Sequence, residues 1–226
     1  MNKELIIFGS EEIADLAHFY FSNDSNYKVK AFTIDDEYIK EDFKNKLPII
    51  PYSEVSKRYP PSDFDMHIAL SYKKLNKLRE EKFNLAKEKN YFLASYISSK
   101  SVYWHDLKHG ENCFILENQT IQPNIHLGNN VMLWSGNHIG HGTKIQSHTY
   151  VSSHVVISGH CNIGKRCFLG VNSTLKDFLT IGDDCFIGMS SNITKDLSNG
   201  CVTLAKCSDI FEADDRKARA LKRSYF

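Results

Sequence analysis

An aliphatic residue recurs at every sixth position through the second half of this chain. Ile115, Ile121, Leu127, Leu133, Ile139, Ile145, Val151, Ile157, Ile163, Leu169, Leu175, Ile181, Ile187 and Ile193 form fourteen consecutive steps. Ile, Leu and Val make up 47 of the 226 residues, so a chance run of this length in one frame has a probability of roughly one in a billion. A helical period cannot hold a strict six, and strand alternation alone would not place Gly128, Gly140, Gly164, Gly170, Gly182 and Gly188 directly after the aliphatic. The pattern predicts a hexapeptide solenoid. Each short strand points one aliphatic into a narrow axial core, and three hexapeptides close one triangular coil. Residues eighteen apart then stack as parallel rungs about 4.8 Å apart, whereas residues six apart lie on different faces.

The position four after each aliphatic carries mostly small residues suited to a crowded inner corner. It includes Asn137, Thr143, Thr149 and four of the six cysteines, Cys113, Cys161, Cys167 and Cys185. The cysteines are therefore expected as buried small apolar residues. No pair has C-x-x-C spacing, so neither a disulfide framework nor a redox motif is indicated.

Before about residue 100 the pattern alternates strand and helix. "ELIIFG", "YKVKAFTID", "LPIIPYSEV" and "DMHIAL" read as strands, "SEEIADLAHFYF" and "KKLNKLREEKFNLAKEKN" as helices, and "YFLASYI" as the last strand. Alternation of this kind predicts a small parallel sheet covered by helices, a Rossmann-like unit. The organisation expected is an α/β Rossmann-like domain over residues 1–100, an all-β parallel β-helix over 101–200, and a tail over 201–226 ending in a short helix. The basic run of that helix, Arg216, Lys217, Arg219, Lys222 and Arg223, reads as a solvated face.

A formal charge of +1 supplies no bulk field toward nucleic acid or an anionic membrane. No segment approaches the ~18 apolar residues of a membrane span, and the four apolar residues before Gly9 are too few for a signal-peptide core. The expectation is a soluble, cytoplasmic protein without nucleic-acid or membrane partners.

The stretch "SGNHIGHGTKIQSHTYVSSHVVISGHCNIG" holds five histidines. His148, His154 and His160 are six apart, fall on three faces and cannot converge on one ion, so no metal site is assigned within the chain. His148 and His154 read as solvated turn residues. His160 lies one coil above Gly142 and so diagonally beside His141.

The segment from Ile139 through "HGTKIQSHTYVSSHVVISGHCNIGKRCFLGVNSTLKDFLTIGDDCFIG" resembles the left-handed β-helix acyltransferases that modify nucleotide-linked sugars in bacterial surface-polysaccharide pathways. The similar subgroup joins a Rossmann-like domain to the hexapeptide helix, as in the sialic-acid O-acetyltransferases and the nucleotide-amino-sugar N-acetyltransferases. The resemblance spans roughly residues 3 to 196 and implies a left-handed coil, a homotrimer, and acetyl-CoA as cosubstrate in a groove between two helices of the trimer.

Carried over by register, the resemblance implies His141 as catalytic base, and Gly159, eighteen residues on, as the backbone N–H that meets the acetyl oxygen. In many members an Asp or Glu follows the histidine and orients it, whereas here Gly142 follows, leaving Asn137 or His160 to supply that hydrogen bond. Gly188, Ser190 and Ser191 match the small-residue segment that lines the coenzyme, with Met189 replacing a usual glycine; tight solenoid corners explain them equally. For the nucleotide-linked sugar, the implied positions are Gly9 and Ser10 after the first strand and Asp35 and Asp36 after the second. Trp134, expected to point outward, would stack on a sugar or cofactor or pack against the next subunit. The function implied is N-acetylation of a nucleotide-linked amino-deoxysugar, such as dTDP-4-amino-4,6-dideoxyglucose, for bacterial surface glycans. The alternatives are O-acetylation of a sugar hydroxyl, a zinc site between chains like that of one carbonic anhydrase class, and a non-catalytic sugar-binding scaffold.

Overall fold

The computed structural model describes residues 3–225. The N-terminal half contains β1 (Lys3–Phe8), α1 (Glu12–Asn23), β2 (Tyr27–Ile34), β3 (Phe43–Lys44), β4 (Leu47–Pro51), α2 (Val55–Arg58), β5 (Phe64–Ile68) and α3 (Lys77–Glu88). The sheet runs β3-β4-β2-β1-β5, parallel throughout except for the β3–β4 hairpin. The interior strand β1, flanked by β2 and β5, buries Leu5, Ile6 and Ile7 completely. That continuous apolar run is expected of a strand covered on both faces.

The stretch "YFLASYI" departs from its expectation as a further strand of this sheet. Leu93 makes one parallel bridge to Met66, and β6 (Tyr96–Ile97) pairs instead with Phe114–Ile115 as the first rung of the next architecture. The chain crosses here from one core to the other, because Tyr96 already obeys the eighteen-residue stacking rule.

From β6 onward every strand is two residues long, and the rungs form three parallel sheets. The first sheet stacks Phe114–Ile115, Met132–Leu133, Tyr150–Val151, Phe168–Leu169 and Phe186–Ile187, closed by Val202–Thr203. The second stacks Thr120–Ile121, His138–Ile139, Val156–Ile157, Thr174–Leu175 and Asn192–Ile193. The third runs from Lys108–His109 through His126–Leu127, Lys144–Ile145 and Asn162–Ile163 to Thr180–Ile181.

All fourteen aliphatics of the repeat belong to one axial core, each worth about 2 kcal/mol of apolar burial. The inner-corner residues are buried as well, and several donate to main-chain oxygens of the next coil. Thr149 Oγ1 meets Gly164 O at 2.8 Å, and Cys167 Sγ meets Gly182 O at 3.1 Å. The four corner cysteines are free and buried, and burial pushes the thiols of Cys113 and Cys167 up to about 11 and 12.

One residue per turn is left-handed, at every sixth position from Asn112 to Ser190. This explains the histidine series: His148, His154 and His160 all occupy this position, with φ of 67°, 57° and 58°, a conformation that His tolerates better than bulky or β-branched residues do. Their common spacing is a property of the turns.

The first sheet turns its outer face to the N-terminal half. Phe114, Met132 and Tyr150 pack there against Leu5, Ile7, Phe21 and Ala69. Arg79 of α3 is buried in the contact and donates to His148 O and Asn76 Oδ1, both at 3.0 Å. Desolvation pulls its guanidinium down to about 10. Lys87 pairs with Glu111 at 2.7 Å, and Arg166 with Glu80 at 3.2 Å, across the same contact.

His148 is therefore corrected: it is buried, not solvated. Its Nδ1 accepts from Asn130 Nδ2 at 3.0 Å, and its ring meets Phe83. Desolvation, helped by Arg79 and Arg166, pulls it down to about 4. The C-terminal helix, α4, runs over Arg216–Tyr225. No helix among the described residues is long and apolar enough to cross a membrane.

Candidate active site

His141 stands at the corner between the second and third sheets, in the turn linking His138–Ile139 to Lys144–Ile145. Its side chain is exposed. The rung above holds it from behind: His160 N donates to His141 O at 2.8 Å. The imidazole occupies the space over Gly159, where an added Cβ would come within 2.9 Å of Cε1 and 3.1 Å of Nε2. Only a residue without a side chain permits this approach.

The stacking rule thus brings His141 beside Gly159, and it brings His160 beside both. The His141 and His160 rings meet edge to face at 4.8 Å, and His160 in turn stacks on Phe178 at 5.0 Å. A cavity of about 400 Å³ opens alongside, lined by Gly142, Lys144, Gln146, His160, Cys161 and Asn162.

Asn137 does not reach His141. It sits in the inner-corner column, where Oδ1 accepts Val155 N at 2.7 Å and Nδ2 donates to Trp134 O. The partner of His141 is Gln122, in the coil below. Gln122 Oε1 lies 2.9 Å from the main-chain nitrogen of His141 and 2.9 Å from Nδ1. Gln122 precedes His141 by nineteen residues, one residue off the eighteen-residue register.

Gly188, Ser190 and Ser191 lie at a different corner, between the first and second sheets, and are not gathered with His141. Gly188 packs under the last rung, where a Cβ would meet Thr203 O at 2.8 Å. Ser190 takes the left-handed turn position. The buried Ser191 hydroxyl has no partner among the described residues. Ser190 and Ser191 help line a cavity of about 510 Å³ with Lys195, Thr203 and Lys206.

Trp134 is also corrected. It is half-buried in the contact between the halves, packed against the cluster around Met132 and Tyr150. Docking of the N-terminal half covers the face on which an outward residue of a lone solenoid would be exposed.

Gly9, Ser10, Asp35 and Asp36 gather at the C-terminal ends of β1 and β2, the edge at which parallel α/β sheets bind ligands. Gly9 has a φ of 132°, and a Cβ there would lie 2.6 Å from Ala69 O, so packing alone demands glycine. Asp35 accepts from Lys82 Nζ at 2.9 Å. Asp36 accepts from Ser53 N at 3.1 Å and Ser53 Oγ at 2.5 Å, which hold its carboxyl below the usual range. Both acids therefore have partners within their own domain.

The family described as bacterial transferase hexapeptide (six repeats) matches residues 124–159. No curated protein matches the sequence significantly. Among solved structures, the acetyltransferase domain of PglB from Neisseria gonorrhoeae, in complex with acetyl coenzyme A, superposes with a TM-score of 0.79 at 17% identity, covering 89% of this chain and 96% of that one. PerB from Caulobacter crescentus, in complex with CoA and GDP-perosamine, gives 0.78 at 17% identity, covering 89% and 94%. WeeI from Acinetobacter baumannii gives 0.75 at 17% identity, covering 90% and 97%. Likeness at this identity establishes the fold. The chain has a hexapeptide-repeat β-helix preceded by an α/β sheet, a fold that these structures share over about nine-tenths of its length.

Proposed function

We propose that this protein is an acetyl-CoA-dependent N-acetyltransferase acting on a nucleotide-linked amino-deoxysugar, with His141 as general base. The observation that carries this reading is the exposed imidazole of His141 lying over the bare backbone of Gly159. Acetyl transfer needs the thioester and amine held together, a base for the amine proton, and a donor for the carbonyl oxygen as it becomes negative. The amine nitrogen attacks the thioester carbonyl carbon and forms the new C–N bond. His141 takes the proton, the Gly159 N–H faces the oxyanion, and collapse breaks the C–S bond to release the CoA thiolate, which is then protonated. Among the described residues no acceptor takes the Gly159 N–H, so it is free for that task.

The architecture shared with PglB and PerB supports the reading, as do the acetyl coenzyme A, CoA and GDP-perosamine held by those proteins. The reading includes a cytoplasmic homotrimer with the coenzyme between two β-helices, Gly188, Ser190 and Ser191 along the coenzyme, and the nucleotide at Gly9, Ser10, Asp35 and Asp36. The reading assigns no metal.

The test is thiol release from acetyl-CoA with a panel of nucleotide-linked amino and hydroxy sugars. Amino acceptors should turn over, and His141→Ala should lower kcat by about a hundredfold or more while the protein still binds acetyl-CoA. Turnover only with hydroxyl acceptors would replace N- by O-acetylation. A His141→Ala protein at the wild-type rate would remove the base.

A further inference from the structure

We infer that Gln122 is a positioning residue that fixes the tautomer of His141, using a neutral amide where many members of the resembling family place a carboxylate. The inference rests on the proposed role of His141. Gln122 Oε1 lies 2.9 Å from both the main-chain nitrogen and Nδ1 of His141. A main-chain N–H can only donate, so the amide atom that it meets is the oxygen. That oxygen can only accept, so Nδ1 must carry the hydrogen of the neutral ring. The lone pair is thereby left on Nε2, a nitrogen that lies against bare Gly159, 3.1 Å from where a Cβ would stand. One side chain sets both the tautomer and the main-chain position of the base.

The main chain that carries this amide is itself fixed. Gln122 follows Ile121 in the second sheet, and its N–H donates to Ile139 O at 3.0 Å, so the side chain starts from a fixed rung one coil below its target. The chemical consequence lies in the charge. A carboxylate beside an imidazole favours the imidazolium and raises its pKa, whereas an amide orients the ring without that bias. Gln122 supplies the orientation while carrying no charge of its own.

The experiment is NMR of the full-length protein with ¹⁵N-labelled histidine, for the wild type, Gln122→Ala and Gln122→Glu, with kcat and KM measured across about pH 6 to 9. Wild-type His141 should be in the Nδ1–H form. In Gln122→Ala the Nε2–H form should grow, with kcat down about tenfold or more and KM for acetyl-CoA within about twofold. Gln122→Glu should keep the Nδ1–H form, restore kcat and move the acidic limb of its profile to higher pH. Because Gln122→Glu retains an acceptor for the main-chain N–H, it tests the inference even if the alanine variant folds poorly. Wild-type His141 in the Nε2–H form overturns the inference, as does a folded Gln122→Ala that keeps both tautomer and kcat. The tautomer is read without turnover. An Nδ1–H wild type that transfers no acetyl group therefore supports the positioning role and overturns the proposed function instead.

Discussion

The His141 ring fills the space that a side chain on Gly159, eighteen residues further along, would need. A methyl group at Gly159 would lie 2.9 Å from Cε1, inside van der Waals contact, so the ring must move. Gly159→Ala is expected to lower kcat by about a hundredfold and to leave the thermal midpoint nearly unchanged, because the site is at the surface. Steady-state kinetics with circular dichroism melting checks both. An alanine variant with wild-type kcat would show that the close approach has no role.

The contact between the two halves depends on Arg79. Its guanidinium donates to His148 O and Asn76 Oδ1, and the side chain is fully buried. Arg79→Ala removes the stem, leaves a cavity and deprives His148 O of its donor. The expected loss is about 3 to 5 kcal/mol, measured by urea unfolding. A loss under about 1 kcal/mol would place the stability of the contact in its aromatic residues instead.

Acid should destabilise the fold through two buried histidines. Burial pulls His67 and His148 from the ordinary 6.5 down to about 4. Between those values the unfolded chain binds protons that the folded chain refuses. Stability is therefore full above about pH 6.5 and falls as the pH drops toward 4, by up to about 3 kcal/mol per residue. Urea midpoints measured from about pH 7 to 4.5 check the slope. Replacing His67 with a neutral side chain of similar size should remove about half of it.

Thiol reactivity should divide along the repeat. Cys113, Cys161, Cys167 and Cys185 are buried, whereas Cys207 is exposed and Cys201 half-buried. A thiolate reagent should label Cys207 first and Cys201 more slowly. The four corner cysteines should react only on unfolding, since burial raises all four thiols. Early labelling of Cys167 in folded protein would contradict its place in the core.

Much of the site was legible once residues were compared at eighteen. The meetings of His141 with Gly159 and with His160 follow from coil stacking alone. Asn137 could have been discounted by the same logic. It belongs to the buried inner-corner column, and both ends of its amide are taken by main-chain groups around the axis. Gln122 was harder to find, because its side chain reaches diagonally to the next coil, and a reach of one residue is not encoded in the register.

The period of six determined the β-helix by itself, because each rung repeats the same local demand: one aliphatic inward, one small corner, one left-handed turn. Nothing in that period says which outer face another domain will cover. Only the tertiary structure decided that His148 is buried and Trp134 half-covered, and that an amide from the coil below holds His141. Those outcomes depend on side chains far apart in sequence competing for the same space and the same donors.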